Sequence, residues 1–152
     1  MSVAARLSEL GIELPAVAAP VAAYVPAVVH GGLVYTSGQL PFVDGALPAT
    51  GKVGAEVSAE DAKAYARTCA LNALAAAADV AGGVDRIAGV VRVGGFVGSA
   101  EGFTGQPAVI NGASEVLGEI FGEEGRHARA AVGVAELPLG SPVEVEVTFR
   151  LA

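Results

Sequence analysis

The sequence holds one cysteine, no tryptophan, two histidines and nine lysine or arginine residues in 152 positions. Each shortage closes a class of function. Cys69 alone cannot form an intrachain disulfide, so the fold must rest on packing. His30 and His127 lie far apart and outside any Cys/His cluster of metal spacing, so no metal site is expected. The basic residues are scattered against sixteen acidic ones, for a net charge of -7. Such a surface repels a phosphate backbone on average, and no basic–aromatic cluster offsets it, so no nucleic-acid partner is expected.

Long apolar runs are also missing. Arg6, Glu9 and Glu13 break the N-terminal stretch and spoil a signal peptide. Asn72 and Asp79 interrupt the alanine-rich stretch from Cys69 to Val84, so no membrane span is expected. A soluble, cytoplasmic protein is the simplest expectation. Neither GxGxxG nor GxSxG occurs. "GALPATGKVG" (45–54) imitates a phosphate loop, but its spacing is wrong and Val53 stands where Ser or Thr is required. Cys69, mid-helix, reads as a buried thiol, and His30, beside a turn, as a surface histidine.

What remains is 53% hydrophobic, much of it small, with 21 glycines. That composition fits one domain with a tightly packed core, and association of copies could bury more apolar surface. "VAARLSELGI" (3–12) predicts a short amphipathic helix, ended before Pro15. Prolines 15, 20 and 26 predict extended chain. Two apolar runs around Gly31-Gly32 predict a β-hairpin. Ser58 is placed to cap a long helix that ends at Gly82-Gly83. "IAGVVRVGGFV" (87–97) predicts a strand loosened by Gly94-Gly95. A second helix is expected from about Pro107 to Phe121, with Asn111 in its first turn. Two alternating strands close the chain. The order, β-β-α-β-α-β-β behind a short helix, predicts an α+β layer with both helices on one face of a mainly antiparallel sheet. One domain is expected over 20–152, behind a helix and extended lead-in over 1–19.

Arg129 and Glu144 carry the chemical interest. Arg129 shares its strand face with Ala131, Gly133 and Ala135, which leave room beside a guanidinium. Val132 and Val134 are expected on the core side. A guanidinium with space beside it suits a planar carboxylate, although a surface ion pair is the plainer reading. If the last two strands pair directly, Glu144 falls opposite Ala135, about 20 Å from Arg129 at ~3.3 Å per residue. The two could then share a small ligand only across a subunit boundary.

Four segments resemble the RidA (YjgF-type) family: "AAYVPAV" (22–28), "VYTSGQLP" (34–41), "INGASEVLGEIFG" (110–122) and "HARAAVGVAELPLGSPVEVEV" (127–147). The resemblance covers roughly Pro20 to the C-terminus. It implies a chorismate-mutase-like fold, a homotrimer with clefts between subunits, and cofactor-independent hydrolysis of 2-imino acids to 2-keto acids and ammonia. It implies that Arg129 binds the carboxylate and that Glu144 positions water. Tyr24, Ser37 and Asn111 would contact substrate through side chains, and Gly38 and Ala131 through backbone. The chain departs from the family pattern at Val25-Pro26, at Ala131 in place of a cysteine, in a longer segment over 94–108, and in its N-terminal helix. These changes bear on substrate range. A trimer that binds a small keto acid as a sensor would use the same Arg129. Ribonuclease or translation-inhibitor activity, which older family names describe, fits the acidic charge least.

Overall fold

The computed structural model describes residues 1–17 and 22–152. The expected division between residues 19 and 20 lies outside the described residues.

Local rules set most of the elements. Helix α1 (Val3–Glu9) is capped by Ser2 and buries Leu7. Backbone N–H of Ala4 bonds Asp85 and Arg6 Nε bonds the Glu119 carbonyl, which ties α1 to the rest. Strands β1 (Ala27–His30) and β2 (Leu33–Thr36) form a hairpin. Its turn has φ of 58° at Gly31 and 80° at Gly32, a mirror-image turn that glycine adopts without strain. Helix α2 (Ala59–Ala81) begins where Ser58 Oγ accepts the Asp61 N–H and ends at left-handed Gly82. Strand β3 (Ile87–Gly98), helix α3 (Gln106–Phe121), strand β4 (Ala128–Val134) and strand β5 (Val143–Leu151) complete the chain.

The sheet order is β1-β2-β5-β3-β4. Every neighbouring pair is antiparallel except β3 and β4, which are parallel. A parallel pair needs a crossover, and α3 supplies it. Val143, Val145, Val147 and Phe149 of β5 are buried in one core with the apolar faces of α2 and α3. Among the described residues, the opposite face of the sheet carries no helix.

Three expectations change. Strands β4 and β5 do not pair, because β3 lies between them. Strand β5 is apolar at every second position and takes the buried centre, while α3 delivers β4 to the edge. Val132 and Val134 belong to the helix-free face, not the core, and Val132 is 45% exposed. Gly94 and Gly95 do not loosen β3, which runs through them. They admit close neighbours: a Cβ on Gly95 would lie 2.5 Å from Ile110, and one on Gly94 2.9 Å from Glu146.

The two long helices also meet closely. A Cβ on Gly112 of α3 would lie 1.9 Å from the Lys63 carbonyl of α2, so alanine must push backbone apart. Overpacking of this kind costs about 1–3 kcal/mol. Gly112→Ala is therefore expected to lower the melting temperature by about 2–10 °C. Gly118→Ala, whose added Cβ would meet nothing described within 4 Å beyond its own helix backbone, should leave it unchanged or raised. Equal melting of the two variants would contradict the close helix contact.

Candidate active site

Arg129 projects from β4 towards α3. Its Nη1 donates to Ser114 Oγ at 3.2 Å and its Nη2 to the Pro107 carbonyl at 3.1 Å. The two acceptors are seven residues apart but converge. A helical carbonyl points towards the C-terminus, whereas a side chain leans towards the N-terminus. Both meet at the level of Asn111, which shares their helix face by its spacing. Among the described residues no carboxylate lies within ion-pair distance of Arg129, so the plain ion-pair reading does not hold. The guanidinium is fixed in place and keeps its charge.

The strip of small residues beside it is partly filled. Ala131 packs against the core. A Cβ on Gly133 would lie 2.8 Å from Gln106 Nε2 and 2.9 Å from Ser99 Oγ. Gln106 Nε2 donates to Ser99 Oγ and to the Phe103 carbonyl. The segment over 94–108 thus finishes strand β3, turns, and closes one end of the strip.

Glu144 lies on the helix-free face of β5, opposite Phe96. Its carboxylate sits over Gly38, where a Cβ would come within 1.8 Å of Oε1. Gly38 is bare because it must be. The neighbouring Ser37 Oγ donates to the Val25 carbonyl at 2.6 Å, which draws the segment carrying exposed Tyr24 to the same corner. Gln39 bonds Val145 in both directions. From Tyr35 to Gln39 is four residues, while their partners Thr148 and Val145 are three apart. The extra residue is a bulge, and Thr36 Oγ1 accepts the Val147 N–H there. Burial, and secondarily the charge of Glu146, push the Glu144 carboxyl above its ordinary value.

The structure therefore gathers the expected residues into two groups. Tyr24, Ser37, Gly38 and Glu144 form one; Asn111, Arg129 and Ala131 form the other. Asn111 lies in the second turn of α3, not the first, because the helix starts at Gln106. Arg129 aligns with Val147 across Val93, three residues from Glu144 along β5. Two strand spacings and three residue rises put their Cα atoms on the order of 14 Å apart. They also face opposite sides of the sheet. The expected separation persists, with a register and a cause unlike those anticipated.

The family described as "YjgF/chorismate_mutase-like, putative endoribonuclease" matches residues 4–150. The chain belongs to the RidA/YjgF family. Its fold is the chorismate-mutase-like fold of that family. It is 47% identical over 150 residues to Protein TCP17 of Trypanosoma cruzi, covering 98% of this chain and 94% of that one. A solved structure from Shewanella oneidensis, named as a candidate endoribonuclease, matches at TM-score 0.94 and 34% identity, covering 99% of this chain and 100% of the other. The structure of E. coli TdcF with bound serine matches at TM-score 0.62 and 27% identity, covering 90% and 94%.

In this RidA/YjgF chain two polar residues beside Arg129 escaped the sequence reading. Ser114 and His127 bond each other at 2.8 Å. Both left a signal. Ser114 follows Asn111 by three on a helix, and His127 lies just before β4, two residues ahead of Arg129. Cys69 is buried as expected, with its thiol pushed well up by burial and by the charge of Glu144. His30 is exposed, as expected.

The raised Glu144 pKa has a sign in stability. A carboxyl whose pKa is higher folded than unfolded favours the fold while protonated and loses that contribution as pH rises through its folded value. Glu144→Gln mimics the protonated form. Its melting temperature should exceed that of the wild type at pH 7, and the gap should close below the ordinary value of 4.5. A gap independent of pH would show that burial does not perturb this carboxyl.

Proposed function

We propose that the protein hydrolyses 2-imino acids to 2-keto acids and ammonia in clefts between copies of itself, in a homotrimer. The observation that carries this reading is Arg129, a fixed guanidinium with no acid beside it among the described residues. Of its five N–H groups two are used among the described residues, and three remain, enough for both oxygens of a carboxylate. A related structure holds serine, an α-amino acid with that same carboxylate.

Arg129 would anchor the carboxylate and set the orientation of the imine carbon. Glu144 would take a proton from the attacking water as its oxygen bonds that carbon. The resulting carbinolamine receives the proton on nitrogen. Because the imine enters protonated, that nitrogen is then an ammonium; its C–N bond breaks, ammonia leaves, and the hydroxyl passes its proton to the Glu144 carboxylate as the carbonyl forms. A carboxyl pushed above the usual range suits both transfers better than an ordinary one. Ser37 and Tyr24 would line the water side, with Asn111 and the Ala131 backbone on the carboxylate side. No step calls for a cofactor.

Arg129 and Glu144 face away from each other in one copy, so the reading requires a second. The helix-free sheet face supports one. Val28, Tyr35 and Val132 lie on it and are 42–48% exposed. A second copy seated there would bury them and bring its Arg129 towards this Glu144. An RNA substrate has less support. Five of the nine basic residues are ion-paired among the described residues, which leaves little positive surface. No helix among the described residues is long and apolar enough to cross a membrane.

The test generates 2-imino acids with an amino-acid oxidase and traps survivors with semicarbazide. Wild type should reduce trapping. Arg129→Ala should lose activity by roughly 10²-fold or more while melting normally. Glu144→Gln should lose about 10²–10⁴-fold. Gly38→Ala should resemble Glu144→Gln, because its Cβ must displace the carboxylate. Failure of the wild type on every imine would defeat the enzymatic reading and leave a carboxylate-binding protein.

A further inference from the structure

We infer that Ser114 and His127 are positioning residues that hold Arg129 ready for the substrate carboxylate, an inference that rests on Arg129 being the anchor. Three hydrogen bonds run in series. Arg129 Nη1 donates to Ser114 Oγ at 3.2 Å, Ser114 Oγ meets His127 Nε2 at 2.8 Å, and His127 Nδ1 meets the Gly125 carbonyl at 2.6 Å.

Chemistry sets the direction of each. A carbonyl only accepts, so Nδ1 carries a proton. In the neutral imidazole Nε2 is then the acceptor, and the Ser114 hydroxyl donates a hydrogen bond to it. With its proton committed, Ser114 Oγ turns lone pairs to Arg129. His127 thus makes Ser114 an acceptor only. The series also ends on something rigid. Gly125 is buried, and a Cβ there would lie 2.7 Å from the Leu117 carbonyl of α3. The Pro107 carbonyl holds the other arm of the guanidinium. A long side chain on an edge strand is therefore clamped from two sides without losing its charge. Ordering it in advance removes a cost that substrate binding would otherwise bear.

His127 and Ser114 reach the substrate only through Arg129, so their effect belongs in binding and not in the chemical step. The experiment titrates 2-oxobutanoate into the full-length protein by calorimetry and measures KM and kcat on the corresponding imine. Ser114→Ala and His127→Ala are each expected to weaken 2-oxobutanoate about 5–20-fold and raise KM by a like factor, with kcat within about threefold of wild type. Ser114→Thr, which keeps the hydroxyl, should bind within about twofold of wild type. The double variant should bind no more weakly than Ser114→Ala, because His127 acts through that hydroxyl. If His127→Ala does not fold, His127→Phe carries the same expectation with the ring's shape kept.

The alternatives separate cleanly. Wild-type affinity in Ser114→Ala and His127→Ala, with affinity lost in Arg129→Ala, overturns the positioning role and leaves the anchor standing. Additive losses in the double variant overturn the series. Wild-type affinity in Arg129→Ala overturns the anchor itself.

Discussion

The parallel pairing of β3 with β4 is the constraint on which the rest depends. A parallel neighbour cannot follow a tight turn, so α3 must cross over the sheet and set β4 at its edge. The chain then has one place left for its most apolar strand, the gap between β2 and β3. Strand β5 fills it with its valine face on the helices. Once that is done, alternation leaves no choice. Glu144 comes up on the helix-free side near the sheet centre, while Arg129 points under α3 at the edge.

The two charged groups are prepared in opposite ways. Arg129 is surrounded by neutral acceptors, a hydroxyl and a carbonyl, which fix it without neutralising it. Glu144 is half-buried over bare Gly38 and close to Glu146, which disfavours its charge. A fixed cation and a reluctant anion suit different parts of one hydrolysis, the first for holding a carboxylate and the second for moving protons. Their separation within one copy makes assembly part of the proposed chemistry.

Glycine performs much of the packing. Gly112 lets α2 and α3 touch, Gly95 admits Ile110, and Gly38 admits the Glu144 carboxylate. None of these shows as a turn signal in the sequence. Gly94-Gly95 reads there as a weakness in β3, since a glycine in a strand lacks side-chain contacts of its own. Only the neighbouring layers reveal that the missing Cβ is what permits the approach.

The sequence by itself determined the element order, the hairpin at Gly31-Gly32, the cap at Ser58, the stop at Gly82 and the burial of Cys69. These depend on residues within a few positions of each other, where caps, turns and periodicity act. The same local logic, with the four family segments, singled out Arg129 and Glu144. Tertiary structure decided what those residues meet. That β3 separates β4 from β5, that Val132 faces away from the helices, and that Arg129 is held by Ser114 with His127 behind it, all depend on which strand fills the centre of the sheet. That choice is settled by burying β5 between two partners, a comparison among whole layers that no short stretch of the chain encodes.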